Sequence, residues 1–289
     1  MKRWQSSLLF DAANYLFMLA LIFIMFYPFL YIVSYSLSTP SRLPEGLLFW
    51  PAGFSADSYR AALENPDMLH GILVSALRTV IGPLVMVAVT SMVAYALTRQ
   101  DLVGVKFFRK FFVLTMYFSS GLIPMYILAQ TLHLTGSFWV YILPEAVVIF
   151  YMILIKTYIE SLPRELEESA LIDGANDLYL YWRIIFPVCA PVMAAVTLFA
   201  AVQQWNSFID TEIYNAMSPE NHTLQYLLYL TVSAQSGSDQ QMQNEFANQV
   251  TPQTLKMAVT VITVLPIALV YPMLQRFFTK GLLIGSIKG

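Results

Sequence analysis

Six stretches of the chain stay apolar over the length of a membrane helix: 11–37, 70–98, 107–130, 137–160, 184–209 and 255–278. A bilayer core takes about 20 mostly apolar residues per helix. None of the six alternates apolar with polar over about ten residues, so a transmembrane β-barrel is excluded. The pattern predicts an all-α integral membrane protein with six transmembrane helices. The first stretch follows Met1-Lys2-Arg3 and invites comparison with a signal peptide. Its apolar run is too long for one, and Ser34-Tyr35-Ser36-Leu37-Ser38 is not a small-x-small cleavage site, so it reads as a retained helix.

Composition agrees. Only 12% of the 289 residues are charged and 57% are hydrophobic, with a mean hydropathy of +0.61; a soluble domain carries about 25% charge. A net charge of −2 without a basic tract excludes a nucleic-acid partner. Cys189 stands alone, so there is neither a disulfide framework nor a cysteine/histidine zinc set.

The lysines and arginines fix a topology. One set of connections holds Lys2, Arg3, Arg99, Lys106, Arg109, Lys110, Lys156, Arg164, Arg183, Arg276, Lys280 and Lys288; the other holds Arg42 and Arg60, with Arg78 and Lys256 just inside helix ends. The positive-inside rule then makes both termini cytoplasmic. Pro28, Pro83, Pro124, Pro144, Pro187, Pro191, Pro266 and Pro272 fall in or beside the spans, where each removes a backbone bond and favours a kink.

Three polar segments interrupt what otherwise reads as a single transmembrane domain over 1–289. Residues 38–69 form an outer loop, and residues 161–183 a cytoplasmic segment. Residues 210–254 form a second outer loop without Lys or Arg, dense in Gln, Asn and Ser, as in Gln240-Gln241-Met242-Gln243-Asn244. Tyr214, Tyr226, Leu227, Leu228, Tyr229 and Leu230 predict that the first half of that loop is packed.

The cytoplasmic segment is the most specific. Pro163 suits the first turn of a helix, and Glu165, Glu167 and Glu168 complement the positive end of its dipole. Leu166 and Ala170 share a face, and Gly174 suits a left-handed end. A second short helix runs from Ala175 towards Trp182. Such a hairpin is too short to be stable alone, so something docks on it. Glu168-Ser169-Ala170 followed by Asp173-Gly174-Ala175, with Ile185 and Pro187 beyond, resembles the EAA loop of ABC importer permeases; Ser169 replaces the family's usual Ala. Ala201-Val202-Gln203-Gln204-Trp205-Asn206-Ser207-Phe208 is similar to helix five of carbohydrate-importer permeases. Tyr271 to Gly281 and the ending Gly285-Ser286-Ile287-Lys288-Gly289 resemble their tail. Within that maltose-permease-like group the chain looks most like the branch for oligosaccharides and polysaccharide fragments, including uronates such as alginate.

The resemblance implies a permease subunit in a bacterial inner membrane, not an enzyme. Oligosaccharide would enter the cytoplasm by alternating access. A coupling helix between helices 4 and 5 would carry ATPase-coupling residues Glu167, Glu168, Ser169, Ala170, Asp173, Gly174 and Ala175. Implied partners are a second, different permease, two ATP-binding subunits docking at 163–175, and an extracytoplasmic solute-binding protein meeting 210–254. ATP and Mg would sit on the ATPase subunits, since no GxxxxGK[ST] loop occurs here. Gln and Asn in the outer loop suit sugar hydroxyls because they both donate and accept.

Four residues are candidates for the substrate pathway: Arg78, Glu145, Trp205 and Asn206. Ionisable groups within a membrane are costly and functional by default. Two arrangements are open to Arg78, snorkelling outward or facing a cavity where it meets an acidic sugar. Glu145 is open to a cavity position or to pairing with Arg78 or Lys256. Trp205 and Asn206 suit sugar recognition, though Trp is equally expected as a belt residue. Import of amino acids or peptides is the nearest alternative. A membrane enzyme would need a constellation such as HExxH or GxSxG, which is absent. A secondary transporter would need ion-coupling groups and usually inverted repeats, whereas the cytoplasmic acidic residues here cluster in one docking-like loop.

Overall fold

A computed structural model describes residues 2–163, 165–172, 174–233 and 250–281, with the side chains of 2–9 and 271–281 left out. Among the described residues, three helices are long and apolar enough to cross a membrane unbroken. They belong to α1 (Lys2–Ser36), α3 (Pro66–Thr98) and α13 (Pro252–Gly281). They cover the first, second and last apolar stretches. Between α1 and α3 lies the short α2 (Asp57–Glu64).

The three middle stretches are interrupted. The stretch 107–130, expected as one span, is instead α4 (Val105–Thr115) and α5 (Leu122–Thr131). The reason is local: Gly121 takes φ +82°, the left-handed region, and Pro124 sits in the first turn of α5. The stretch 137–160 breaks around Pro144, where 3₁₀ turns at Phe138–Tyr141 and Leu143–Glu145 meet α6 (Ile149–Glu160) at 45°. Its neighbour 184–209 is bent by 79°. There α8 (Asp177–Leu180) runs through a π-turn at Tyr181–Ile185 and α9 (Phe186–Val188), then turns at Cys189 into α10 (Ala190–Asn206). Pro187 and Pro191 flank that corner, each removing a backbone donor. Among the described residues, counting each bent pair as one span gives up to five crossings by length and composition, and the split stretch 107–130 is the one of the six expected that is not counted.

The chain divides into two units, Met1–Met68 with Leu230–Leu265, and Leu69–Tyr229 with Pro266–Gly289. In the first, residues 10–26 of α1 are exposed, as suits a helix meeting lipid. Tyr27, Tyr31 and Tyr35 follow Phe23 at four-residue spacing with ring centroids 5.6–6.2 Å apart. Hydroxyls tie down the loop after α1: Ser38 Oγ donates to Ser34 O at 2.6 Å and accepts from Ala52 N at 2.9 Å, and Thr39 Oγ1 donates to Gly53 O at 2.8 Å.

The second unit holds the functional candidates. Its core joins α3, α6, α7 (Glu165–Ile172), α8 and α10 through Tyr95, Ile155, Ala170, Leu180, Ile185 and Val196. A smaller apolar cluster gathers Val74, Ala129, Val140, Tyr141 and Ile142. The first half of the predicted outer loop is helical and packed, as α11 (Ile209–Tyr214) and α12 (Leu224–Ser233). Burial, helped by a hydrogen bond to the Glu212 carboxylate, pushes the Tyr226 hydroxyl up to about 12, so it stays neutral. The Gln-rich run 240–244 and the ending 285–289 lie outside the described residues.

Candidate functional site

Two polar clusters lie in the second unit. At 163–180, α7 packs through Ala170, which is 6% exposed. Ser169 Oγ turns back to Glu165 O at 2.7 Å. The helix ends at Gly174, whose φ of +81° places it in the left-handed region. Gly174 N donates to Leu171 O at 3.1 Å and Ala175 N to Ala170 O at 3.0 Å, closing the last turn in the manner of a Schellman motif. Asn176 then caps α8, its Oδ1 accepting from Tyr179 N at 2.8 Å. Ala175 packs against the core. Glu168 is exposed, and Asp173 lies outside the described residues. Leu171, Ile172, Leu178 and Tyr179 are exposed too, Ile172 by 86%.

Arg99, just past the end of α3, holds the base of this hairpin. Its Nη1 donates to Glu167 Oε2 at 3.2 Å, its Nη2 pairs with Asp177 Oδ1 at 3.0 Å, and its Nε lies 3.5 Å from Asp101 Oδ1. Burial pulls the guanidinium down, but Tyr95, Asp177, Asp101 and Glu167 more than offset that, and it ends above the usual arginine value. A cavity of about 370 Å³ opens alongside, lined by Arg99, Arg109, Glu160, Glu167, Glu168 and Leu171, among others. Sequence reasoning used Arg99 only as a topology marker and did not single out Asp177.

The second cluster centres on Arg78, which is 1% exposed. The partner found is Asp210, which none of the arrangements open to Arg78 in the sequence included: snorkelling, a cavity position or pairing with Glu145. The two terminal nitrogens of Arg78 clasp the Asp210 carboxylate, Nη1 to Oδ1 at 3.2 Å and Nη2 to Oδ2. Its Nε donates to Gln204 Oε1 at 2.8 Å, and its Cζ sits 4.2 Å from the centre of the Tyr141 ring. Gln204 Nε2 in turn donates to Tyr141 O at 2.9 Å and Glu145 Oε2 at 3.2 Å. Gln203 Nε2 reaches Glu145 Oε1 at 3.1 Å. Glu145 is thus held by two amides. Beyond it, Tyr141 Oη donates to Asn221 O at 2.7 Å and lies 3.1 Å from the Thr211 hydroxyl.

The local sequence explains the approach. At Gly82 of α3 a Cβ would meet Gln204 Cδ and Nε2 at 3.1 Å, so the absent side chain is what lets Gln204 cross α3. Trp205 is 8% exposed, while Asn206 is exposed and its Oδ1 accepts from Gln225 Nε2 at 3.4 Å. The structure therefore brings Arg78 and Glu145 into one network through Gln204, with Trp205 and Asn206 following it on α10. Asp210 and Tyr141 are the members that sequence reasoning missed. Among the described residues, no group of three or more His, Cys, Asp or Glu side chains could hold a metal.

Comparisons with known proteins fit this architecture. The chain is 37% identical over 283 residues to the polygalacturonan/rhamnogalacturonan transport system permease protein YtcP of Bacillus subtilis, covering 97% of this chain and 99% of that one. It is 38% identical to Protein LplC of the same organism, covering 100% and 98%. Among solved structures, a chain of a bacterial ABC transporter involved in the import of the acidic polysaccharide alginate superposes with a TM-score of 0.87 at 26% identity. The match covers 94% of this chain and 98% of that one. Residues 104–284 match the family described as binding-protein-dependent transport system inner membrane component. With its bent helices, its capped hairpin at 165–180 and relatives alike over nearly their full length, the chain belongs to that family of ABC importer permeases.

Proposed function

We propose that this chain, with a second and different permease, forms the membrane path of an importer for oligosaccharides cut from acidic polysaccharides. Two ATPase subunits, carrying ATP and Mg, dock on 163–175, and an extracytoplasmic solute-binding protein meets 210–254. Both termini are cytoplasmic, and the interrupted stretches complete six crossings. The observation that carries the docking is the hairpin itself. It is fixed at its base by Arg99 and at its turn by Gly174, while Glu168, Leu171 and Ile172 remain exposed. Exposed apolar and acidic residues on a rigid hairpin suit a partner groove. Glu167 and Ala170 hold its inner face, Ser169 its outer face, and Ala175 belongs to the turn; Asp173 completes the proposed coupling set. The sugar class is supported by the acidic polysaccharides that YtcP and the alginate importer are named for.

The pathway reading is narrower. Arg78 is already matched by Asp210, so it orders the cluster and is not offered to a uronate carboxylate. Glu145, Gln203 and Asn206 are the groups left to take sugar hydroxyls, with Trp205 packed behind. The test is purification of the chain from its native membrane with identification of its partners. Reconstitution with the binding protein then follows, with uptake of labelled oligogalacturonide compared with neutral malto-oligosaccharide. Recovery of a Walker-motif ATPase and a second permease is the expected result. Recovery of the chain alone after gentle extraction would count against docking, and equal uptake of both sugars against the acidic class.

A further inference from the structure

We infer that Arg99 is a positioning residue for energy coupling: it locks the 165–180 hairpin to the end of α3, so that force applied to the hairpin reaches the membrane helices. This rests on the proposed docking of an ATPase at that hairpin.

The hairpin needs an anchor. With eight residues, α7 is too short to hold itself together in water, and a Cβ at its Gly174 turn would touch nothing within 4 Å. Its one buried side chain is Ala170. A small methyl against the core fixes depth but leaves rotation poorly determined. Arg99 supplies the missing constraint. Its planar fork bonds Glu167 in the first turn of α7 and pairs with Asp177 in the first turn of α8. Both arms of the hairpin are thereby tied to one point.

Exposure separates this arrangement from an incidental surface ion pair. The Arg99 side chain is 18% exposed, against 30% for Glu167, 61% for Asp177 and 72% for Asp101. The cation is the least exposed member and the carboxylates radiate from it. Three acidic groups from three segments on one guanidinium form a network, the case in which surface charges count. The helix that carries Arg99 on its end also carries Arg78. The two arginines lie 21 positions apart, about 30 Å of helical rise, so the hub and the Arg78 cluster lie along one helix.

The test uses the assembled importer in proteoliposomes, with its ATPase and binding protein. Solute taken up per ATP hydrolysed and the amount of ATPase recovered with the complex are both measured. Arg99→Ala is expected to lower uptake per ATP about tenfold, the size set by losing two partly exposed charge-assisted bonds, with the complex still assembled. Arg99→Lys, a point charge without the fork, restores part of the ratio. If uptake, hydrolysis and recovered complex all fall together with the ratio unchanged, Arg99 is only structural and the inference is overturned. An unchanged ratio in Arg99→Ala beside a lowered one in Gly174→Pro also overturns it, while the docking reading stands. If neither variant moves the ratio, the docking reading fails and the inference with it. Should Arg99→Ala not assemble, Glu167→Gln, which keeps size and removes one charge, is expected to lower the ratio about threefold; no change there overturns the inference. Glu168→Lys, at an exposed position, replaces Gly174→Pro if that variant does not reach the membrane.

Discussion

Replacing Arg78 with methionine tests whether the Arg78 cluster stabilises the second unit. Methionine keeps the unbranched stem and removes the charge. Asp210, whose side chain is 23% exposed, then loses both of its arginine bonds, and Gln204 Oε1 loses its donor. The Tyr141 ring loses its cation as well. Breaking a buried pair from one side costs about 3–5 kcal/mol. Because Asp210 is partly wet and keeps the Thr211 N–H at 2.9 Å, the lower end applies, about 3 kcal/mol. Asp210→Leu leaves the more deeply buried partner alone and is expected to cost at least as much. The double variant removes both charges, so it should recover a good part of either loss, since apolar replacement of a whole buried pair is often close to neutral. The assay is thermal unfolding of the purified chain in detergent or nanodiscs for the two single variants and the double one. At about 2 °C per kcal/mol for a chain of this size, each single variant is expected to unfold about 6 °C early. If the two losses add to within about 0.5 kcal/mol, the residues are not coupled and the stabilising role of the pair is refuted.

Further variants probe the neighbouring features. Gly174→Pro forces φ to about −65° where the turn needs +81° and removes the bond to Leu171 O; ATP hydrolysis should continue with little uptake, and equal uptake at equal expression would count against the coupling assignment. Gly82→Ala pushes a methyl against Gln204, and with the helix gain of about 0.5–1 kcal/mol offsetting part of the overpacking it should cost up to about 1 kcal/mol in the same thermal assay. Adding Gln204→Ala should make that methyl harmless, and a full Gly82→Ala loss in its presence would show that the contact is not the cause. Asn176→Ala removes the cap of α8 and should cost about 1 kcal/mol. Cys189 is fully buried, so the native chain should resist maleimide. That silence permits single-cysteine topology tests, with Glu168→Cys expected to label from the cytoplasm and Glu220→Cys from outside; labelling of both from one side would overturn the orientation.

The long apolar runs were legible because length alone decides them. For α1, α3 and α13, about 20 apolar residues suffice whatever packs alongside. The breaks were harder. Pro124, Pro144, Pro187 and Pro191 were visible as kinks, but a proline in a membrane helix is compatible with anything from a slight bend to a full break. In 107–130 the deciding residue is Gly121, which permits φ +82° in a run that hydropathy reads as continuous. Ser119-Ser120-Gly121 ahead of Pro124 was the available signal, and an apolarity window averages it away. The 79° corner at Cys189 has the same origin, with two prolines four residues apart around it.

The candidate site divides by sequence separation. Left-handed Gly174 was readable because a helix end is a local event, settled by a glycine after an eight-residue amphipathic turn. The Arg78–Asp210 pair joins residues 132 apart and the Arg99–Glu167 bond residues 68 apart, and no local pattern encodes either. What sequence does supply is the demand: a membrane-embedded arginine must be matched, so Arg78 called for a carboxylate, and Glu145 was a candidate because it lies at similar depth. The structure gives that role to Asp210, because Arg78 needs two parallel acceptors and Gln204 already stands between it and Glu145. Glu145 is left accepting from Gln203 and Gln204. The same reasoning explains Arg99. As a positive-inside residue it needs only to be cytoplasmic, yet the carboxylates of Glu167 and Asp177 fall within reach once the Gly174 turn folds α8 back beside α7. A residue that sequence uses as a topology marker becomes, in three dimensions, the hub of the hairpin.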